Sequence, residues 1–171
     1  MKMSIVFYSQ SGKTAEMAEV IAQGAREVLE EVRCFPLDQI DLAFLKESRV
    51  VLFGTPTYYA DLCWQIKKWF DESYKIDLAG KLGGAFSTAN FVQGGGDVAV
   101  LTLLHHMLVK GMLVYSGGAV SKPFVHLGAV ATAGNFEESK PMCQTYGRRM
   151  AQKAVELFGG VRHGMETGVS G

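Results

Sequence analysis

Short apolar runs alternate with helical stripes along the whole chain. Ile5-Val6-Phe7-Tyr8 is continuous and rich in β-formers, which predicts a strand buried on both faces. The small polar segment Ser9-Gln10-Ser11-Gly12-Lys13-Thr14 follows, and then Met17, Val20, Ile21, Ala25 and Val28 recur at helical spacing, predicting a helix to Leu29. Val32 to Phe35 reads as a second strand ended by Pro36, and Asp41 to Glu47 as a short helix. Val50-Val51-Leu52-Phe53 is a third strand closed by Gly54-Thr55-Pro56, followed by a helix marked by Leu62, Ile66, Trp69 and Phe70. Gly83 to Phe86 is a fourth strand, then come a loop from Ser87 to Gly96, a helix from Val98 to Val109 and a fifth strand from Met112 to Tyr115. Met142, Tyr146, Met150, Ala154 and Phe158 form the stripe of a last helix, for which Asn135 and Glu138 have the spacing of a capping box.

Strands alternating with helices in this way predict an α/β fold, a parallel sheet covered by helices on both faces. Ligands then bind beyond the carboxyl ends of the strands, at the topological switch point. Residues 1–160 read as one domain, and residues 161–171 as a loose glycine-rich tail.

Composition narrows the function classes. The 171 residues carry 17 Lys and Arg against 17 Asp and Glu, and a zero balance argues against a nucleic-acid partner. Cys34, Cys63 and Cys143 are odd in number and far apart, which gives no disulfide framework and no metal site, and suits a cytoplasmic location. No apolar run reaches the length of a membrane helix, so no membrane partner is expected.

Three segments carry the candidate chemistry. Ser9, Gln10, Ser11, Gly12, Lys13 and Thr14 lie between a buried strand and a helix start, where backbone N–H groups and the helix dipole converge. Three hydroxyls and a glycine make this a phosphate cradle of mostly neutral donors; the alternative is an ordinary serine-rich N-cap. Gly12-Lys13-Thr14 also echoes a nucleoside-triphosphate loop, but Phe7 stands where that motif needs glycine. Pro56, Thr57, Tyr58 and Tyr59 end the third strand and offer aromatic faces to a planar ring, although one tyrosine could equally pack on the neighbouring helix. Ser87, Thr88, Ala89, Asn90, Phe91, Gly94 and Gly95 follow the fourth strand, where small residues let backbone groups reach ring heteroatoms. Cys143 and Arg149 have the spacing of a phosphatase loop but fall in a helix, and Tyr8-Ser9 and Gly54-Thr55 stand where a receiver domain needs carboxylates.

In this order, Ser9 to Thr14, Phe53 to Tyr59, Phe86-Ser87-Thr88 with Gly94-Gly95-Gly96, Gly111-Met112 and Gly128-Ala129 resemble the flavodoxin-like family. The nearest likeness is to the NAD(P)H:quinone oxidoreductases of the tryptophan-repressor-binding-protein type. The resemblance implies a doubly wound sheet of five parallel strands in the order 2-1-3-4-5. It also implies non-covalent FMN, its phosphate on Ser9, Ser11, Gly12, Lys13 and Thr14, its ring flanked by Thr57, Tyr58 and Tyr59 and edged by Ser87 to Gly95.

On this resemblance the expected function is an FMN-dependent oxidoreductase that passes electrons from NAD(P)H to a quinone or another small-molecule acceptor. No catalytic residue beyond the flavin is expected. In the quinone reductases a histidine directly precedes the Gly-Met that opens the fifth strand; here Lys110 does, and that role passes to neither His105 nor His106, of which one is expected to pack and the other to face solvent. His126 is expected at the surface. One alternative is an electron-transfer flavodoxin serving a protein partner, which the 17:17 balance disfavours because such carriers are usually acidic. Another is a binding module with an empty site. From Leu82 to Phe136 only Asp97, Lys110 and Lys122 are charged, and the helix from Val98 to Val109 is apolar nearly all round, so a homodimer or homotetramer through that helix is expected, with Phe91 and Val92 beside it.

Overall fold

A computed structural model describes residues 1–160, and the tail expected at 161–171 lies outside the described residues. Five helices and seven strands follow one another as β1 (Lys2–Phe7), α1 (Lys13–Arg26), β2 (Glu31–Pro36), α2 (Leu42–Glu47), β3 (Ser48–Tyr58), β4 (Asp61–Leu62), α3 (Trp64–Glu72), β5 (Leu82–Ala89), α4 (Gly96–Val109), β6 (Leu113–Val114), β7 (Ala129–Thr132) and α5 (Phe136–Phe158). The parallel sheet has the order β2-β1-β3-β5-β6, with β7 continuing the same edge of β5, so the doubly wound α/β architecture expected from the sequence is the observed one. Ile5 sits between Cys34 of β2 and Leu52 of β3.

Alternation along the central strands divides the core into two layers. Met3, Ile5 and Phe7 face α1 and α5, where they meet Met17, Ile21, Tyr146 and Met150. Val6, Val51 and Phe53 face the other way, onto Ile66 and Phe70 of α3 and Leu103 and Met107 of α4. With both faces covered, only the strand ends are free to hold a ligand.

Four details depart from the sequence reading. The third strand does not stop at Gly54-Thr55-Pro56 but runs on to Tyr58. β1 pairs with it only as far as Gly54, so beyond that point β3 has an open side, where a proline removes no ladder bond. The fourth strand likewise continues through Ser87, Thr88 and Ala89. The fifth is split: β6 is two residues long, residues 115–128 leave the sheet, and β7 resumes the edge. One guanidinium on α5 organises the excursion, Arg149 donating to the carbonyls of Gly117, Gly118, Ser121, Lys122 and Pro123 at 2.7–3.3 Å. Finally, Asn135 does not cap the last helix with Glu138. Its Oδ1 turns back to accept from the backbone N–H and hydroxyl of Thr132, at 2.7 and 2.8 Å, because the chain makes a 3₁₀ turn between β7 and α5.

Candidate functional site

The carboxyl ends of β1, β3, β5 and β7 converge on one end of the sheet. Gly12 is the N-cap of α1 and adopts φ +89°, a left-handed conformation, and a Cβ there would meet nothing within 4 Å. The open space is therefore on the ligand side, above the free N–H groups of the first helical turn. Ser11, Lys13, Pro56, Thr57, Tyr58, Thr88, Ala89 and Asn90 line a small cavity of about 80 Å³ beside this turn. The polar atoms aimed at it are mostly neutral. The Lys13 ammonium donates to Glu16 at 3.2 Å and lies over the Phe136 ring, and hydrogen bonds from Lys140 and Lys13 hold the Glu16 carboxyl below its usual range.

Two hydroxyls in this region are buried with no hydrogen-bond partner, Ser9 Oγ and Thr57 Oγ1. Buried polar atoms are nearly always satisfied, because an unmet one carries its full desolvation cost. Both belong to the predicted set, and an anion between them would supply the missing acceptor. If these hydroxyls serve a ligand, Ser9→Ala or Thr57→Ala leaves the melting temperature of the ligand-free protein unchanged or higher and weakens flavin binding by about 5–15-fold, roughly 1–1.5 kcal/mol. Differential scanning fluorimetry and a flavin fluorescence titration read the two effects separately.

A larger cleft of about 740 Å³ opens beyond the cavity, between the turn after β3 and the loop after β5. Thr57, Tyr58, Tyr59, Ala89, Asn90, Phe91 and Gly94 line it, together with Ala60 and Trp64. Tyr59 and Ala60 turn the chain with φ of 49° and 63°, and the Tyr59 ring is fully exposed. Tyr58 instead leans over the cradle, its hydroxyl donating to Gln10 Oε1 at 2.6 Å, and burial pushes its pKa up. The two loops touch at Gly95, where φ is +88° and an added Cβ would lie 2.5 Å from Ala60 Cα. The cleft thus has the depth and aromatic walls for a planar ring, with an anion cradle at its inner end.

Not every predicted residue reaches this space. Ser87 is fully buried and donates to the Gly96 carbonyl, holding the start of α4. Thr14 is buried, its hydroxyl 2.8 Å from that of Thr88, so that Thr88 lines the small cavity while tying α1 to β5. Gly95 acts through the loop contact. Conversely, the sequence reading omitted Trp64, which is 66% exposed at the start of α3 and lines both this cleft and a neighbouring one containing Ser9, Gln10 and Gly12. Trp64 lies off the stripe of Leu62, Ile66, Trp69 and Phe70, and a large aromatic on the polar side of a helix was the available signal. Thr132, Ala133 and Phe136, which close the small cavity, were hidden because β7 was not recognised as a strand. His106 packs on Phe70, with Nδ1 2.7 Å from the Thr102 carbonyl, while His105 and His126 are exposed, as expected.

Residues 5–99 match the family Flavodoxin, and the chain is 48% identical over 160 residues to a flavodoxin of Clostridium saccharobutylicum, covering 92% of this chain and all of that one. The chain belongs to the flavodoxin family. A flavodoxin of Aquifex aeolicus is 32% identical, over 88% of this chain and 85% of its own. Among solved structures, a flavodoxin, WrbA-like protein from Agrobacterium tumefaciens superposes with a TM-score of 0.78 at 25% identity, over 91% of this chain and 98% of that one. A quinone-type NAD(P)H dehydrogenase of Aromatoleum aromaticum is more distant, at 29% identity over 94% of this chain and 99% of its own. These relationships overturn the expected NAD(P)H:quinone oxidoreductase and the NAD(P)H reductant with it. The chain matches relatives of both names, so the motifs that carried the resemblance do not by themselves decide the reaction. The expectation that the 17:17 balance disfavours a flavodoxin carrier is overturned as well, because a sum over the whole chain does not report the charge of the surface around the cleft.

Proposed function

We propose that this protein is an electron carrier that holds FMN non-covalently and exchanges electrons with protein partners. The observation that carries the reading is the 48% identity, over nearly the whole chain, to a flavodoxin. The site supports it: a helix N-terminus with neutral donors, two unpartnered buried hydroxyls and an aromatic-walled cleft lie at one end of the sheet.

FMN, when bound, supplies reversible one- and two-electron transfer at its ring system. The first turn of α1, with Ser9, Ser11 and Thr57, would hold the phosphate, the N–H groups and hydroxyls donating to it. Tyr58 and Gln10 close the cradle over it. Tyr59, Trp64 and Phe91 would bound the ring, and because all three are more than half exposed, they leave it within reach of a docked protein. Among the described residues, no Asp, Glu, Lys or Arg lines the larger cleft. That suits electron transfer better than chemistry on a substrate.

A titration of ligand-free protein with FMN, followed by loss of flavin fluorescence, is expected to give tight one-to-one binding. Riboflavin, which lacks the phosphate, is expected to bind at least about 100-fold more weakly, roughly 3 kcal/mol, the sum of two charge-assisted hydrogen bonds. Equal affinity for the two flavins would remove the cradle from the account.

A further inference from the structure

The hairpin that bounds the larger cleft is closed at its base by one buried hydroxyl. β3 and β4 pair antiparallel, Thr57 with Leu62 and Tyr58 with Asp61, and Tyr59 and Ala60 form the tip with positive φ. Such a tip favours Asn-Gly, because a Cβ resists the left-handed region. Tyr59-Ala60 is therefore held by its surroundings and not by its own preference. Below the paired residues, Thr55 Oγ1 accepts the Cys63 backbone N–H at 3.0 Å. Its proton goes to the Pro56 carbonyl at 2.8 Å, with Cys63 Sγ at 3.4 Å as the alternative acceptor. Thr55 and Cys63 are both buried, so water cannot take over these bonds. Packing alone would favour Val at this place in a buried strand.

We propose that Thr55 is a positioning residue for the flavin, its hydroxyl setting where Tyr58, Tyr59 and Trp64 stand against the ring. The proposal rests on FMN occupying the cleft. Thr55 lies in the part of β3 that is paired with β5, opposite Ser87. Cys63 is the N-cap of α3, directly before Trp64, and makes no side-chain cap bond of its own. The bond from the Cys63 N–H to Thr55 therefore joins the sheet to the start of α3, and the whole hairpin lies between its two ends. Thr55 lines neither the cleft nor the small cavity, so it acts through the residues that do.

Thr55→Val keeps the approximate shape and removes the acceptor. In fluorescence titrations of the full chain, well below its melting temperature, FMN and riboflavin are both expected to bind about 10-fold more weakly than to wild type. The factor is the same for both, because the phosphate cradle is untouched. The melting temperature of the ligand-free variant is expected to fall by about 3–10 °C, since the Cys63 N–H loses its partner. Thr55→Ser retains the hydroxyl and is expected to restore wild-type affinity. In ligand-free wild type, the Cys63 amide is expected to exchange its hydrogen only through global opening. A Thr55→Val protein that melts early yet binds both flavins as wild type does would overturn the proposal, as the bond would then serve stability alone. So would a Thr55→Ser protein as weak as Thr55→Val, or a Cys63 amide that exchanges like an exposed one, a result that stands even if Thr55→Val does not fold. Wild type that binds no FMN is a separate outcome, which removes the flavin reading and this proposal with it.

Discussion

Gly12→Glu is expected to weaken FMN binding by more than 100-fold, measured by fluorescence titration, without unfolding the protein. The residue caps α1 with φ +89°, and space opens around the position where a side chain would begin. A carboxylate there would project toward the phosphate site. Two like charges a few ångströms apart at a partly exposed site cost about 3 kcal/mol, which sets the size of the loss. Gly12→Ala separates the causes. It carries the left-handed backbone penalty of about 1–2 kcal/mol in stability but no charge, and is expected to cost less than tenfold in affinity. If the two variants bind alike, repulsion of a phosphate is not the reason.

Gly95→Val is the second large effect, and it acts on the frame of the cleft. Its φ is +88°, and the first added carbon would lie 2.5 Å from Ala60 Cα and 2.7 Å from the Ala60 carbonyl oxygen. These are backbone atoms of the turn carrying Tyr59, so neither side can yield by rotating a side chain. The left-handed penalty and the overlap together are expected to cost about 3–5 kcal/mol of stability, a fall in melting temperature of several degrees for each kcal/mol. The loops that bound the ring are forced apart, and FMN binding is expected to fall more steeply than stability alone requires. A variant that melts early yet binds FMN normally at low temperature would show that the loop contact does not shape the cleft.

What could be read in the sequence followed from local physics. Residues 5–7, 50–53 and 83–86 became central strands because each is buried on both faces, with Tyr8 falling just past the end of β1, and the stripes became helices. The cradle was legible because a strand, a polar turn with glycine and a helix start form a local unit. The features that escaped depend on neighbours distant in sequence. β7 is Ala-Val-Ala-Thr, with no strong β signal, and exists because β5 offers it an edge. Pro56 looked like a terminator and is tolerated because β1 has already ended beside it. Trp64 was passed over because it lies off the buried stripe of its helix, and its place on the polar side puts it in the cleft. The oxidoreductase reading failed for a different reason. The residues that carried it, within 9–14, 56–59 and 87–95, report a cradle and a cleft, and neither names the electron donor.

The central claim is that electrons reach this protein through other proteins. The most direct measurement is anaerobic addition of NADPH to the FMN-loaded chain, with the flavin absorbance followed alone and after addition of a separate NADPH-dependent flavoprotein reductase. The account predicts no bleaching on the time scale of turnover with NADPH alone, and complete bleaching once the reductase is present. Rapid bleaching by NADPH alone, followed by reoxidation with a quinone, would contradict it.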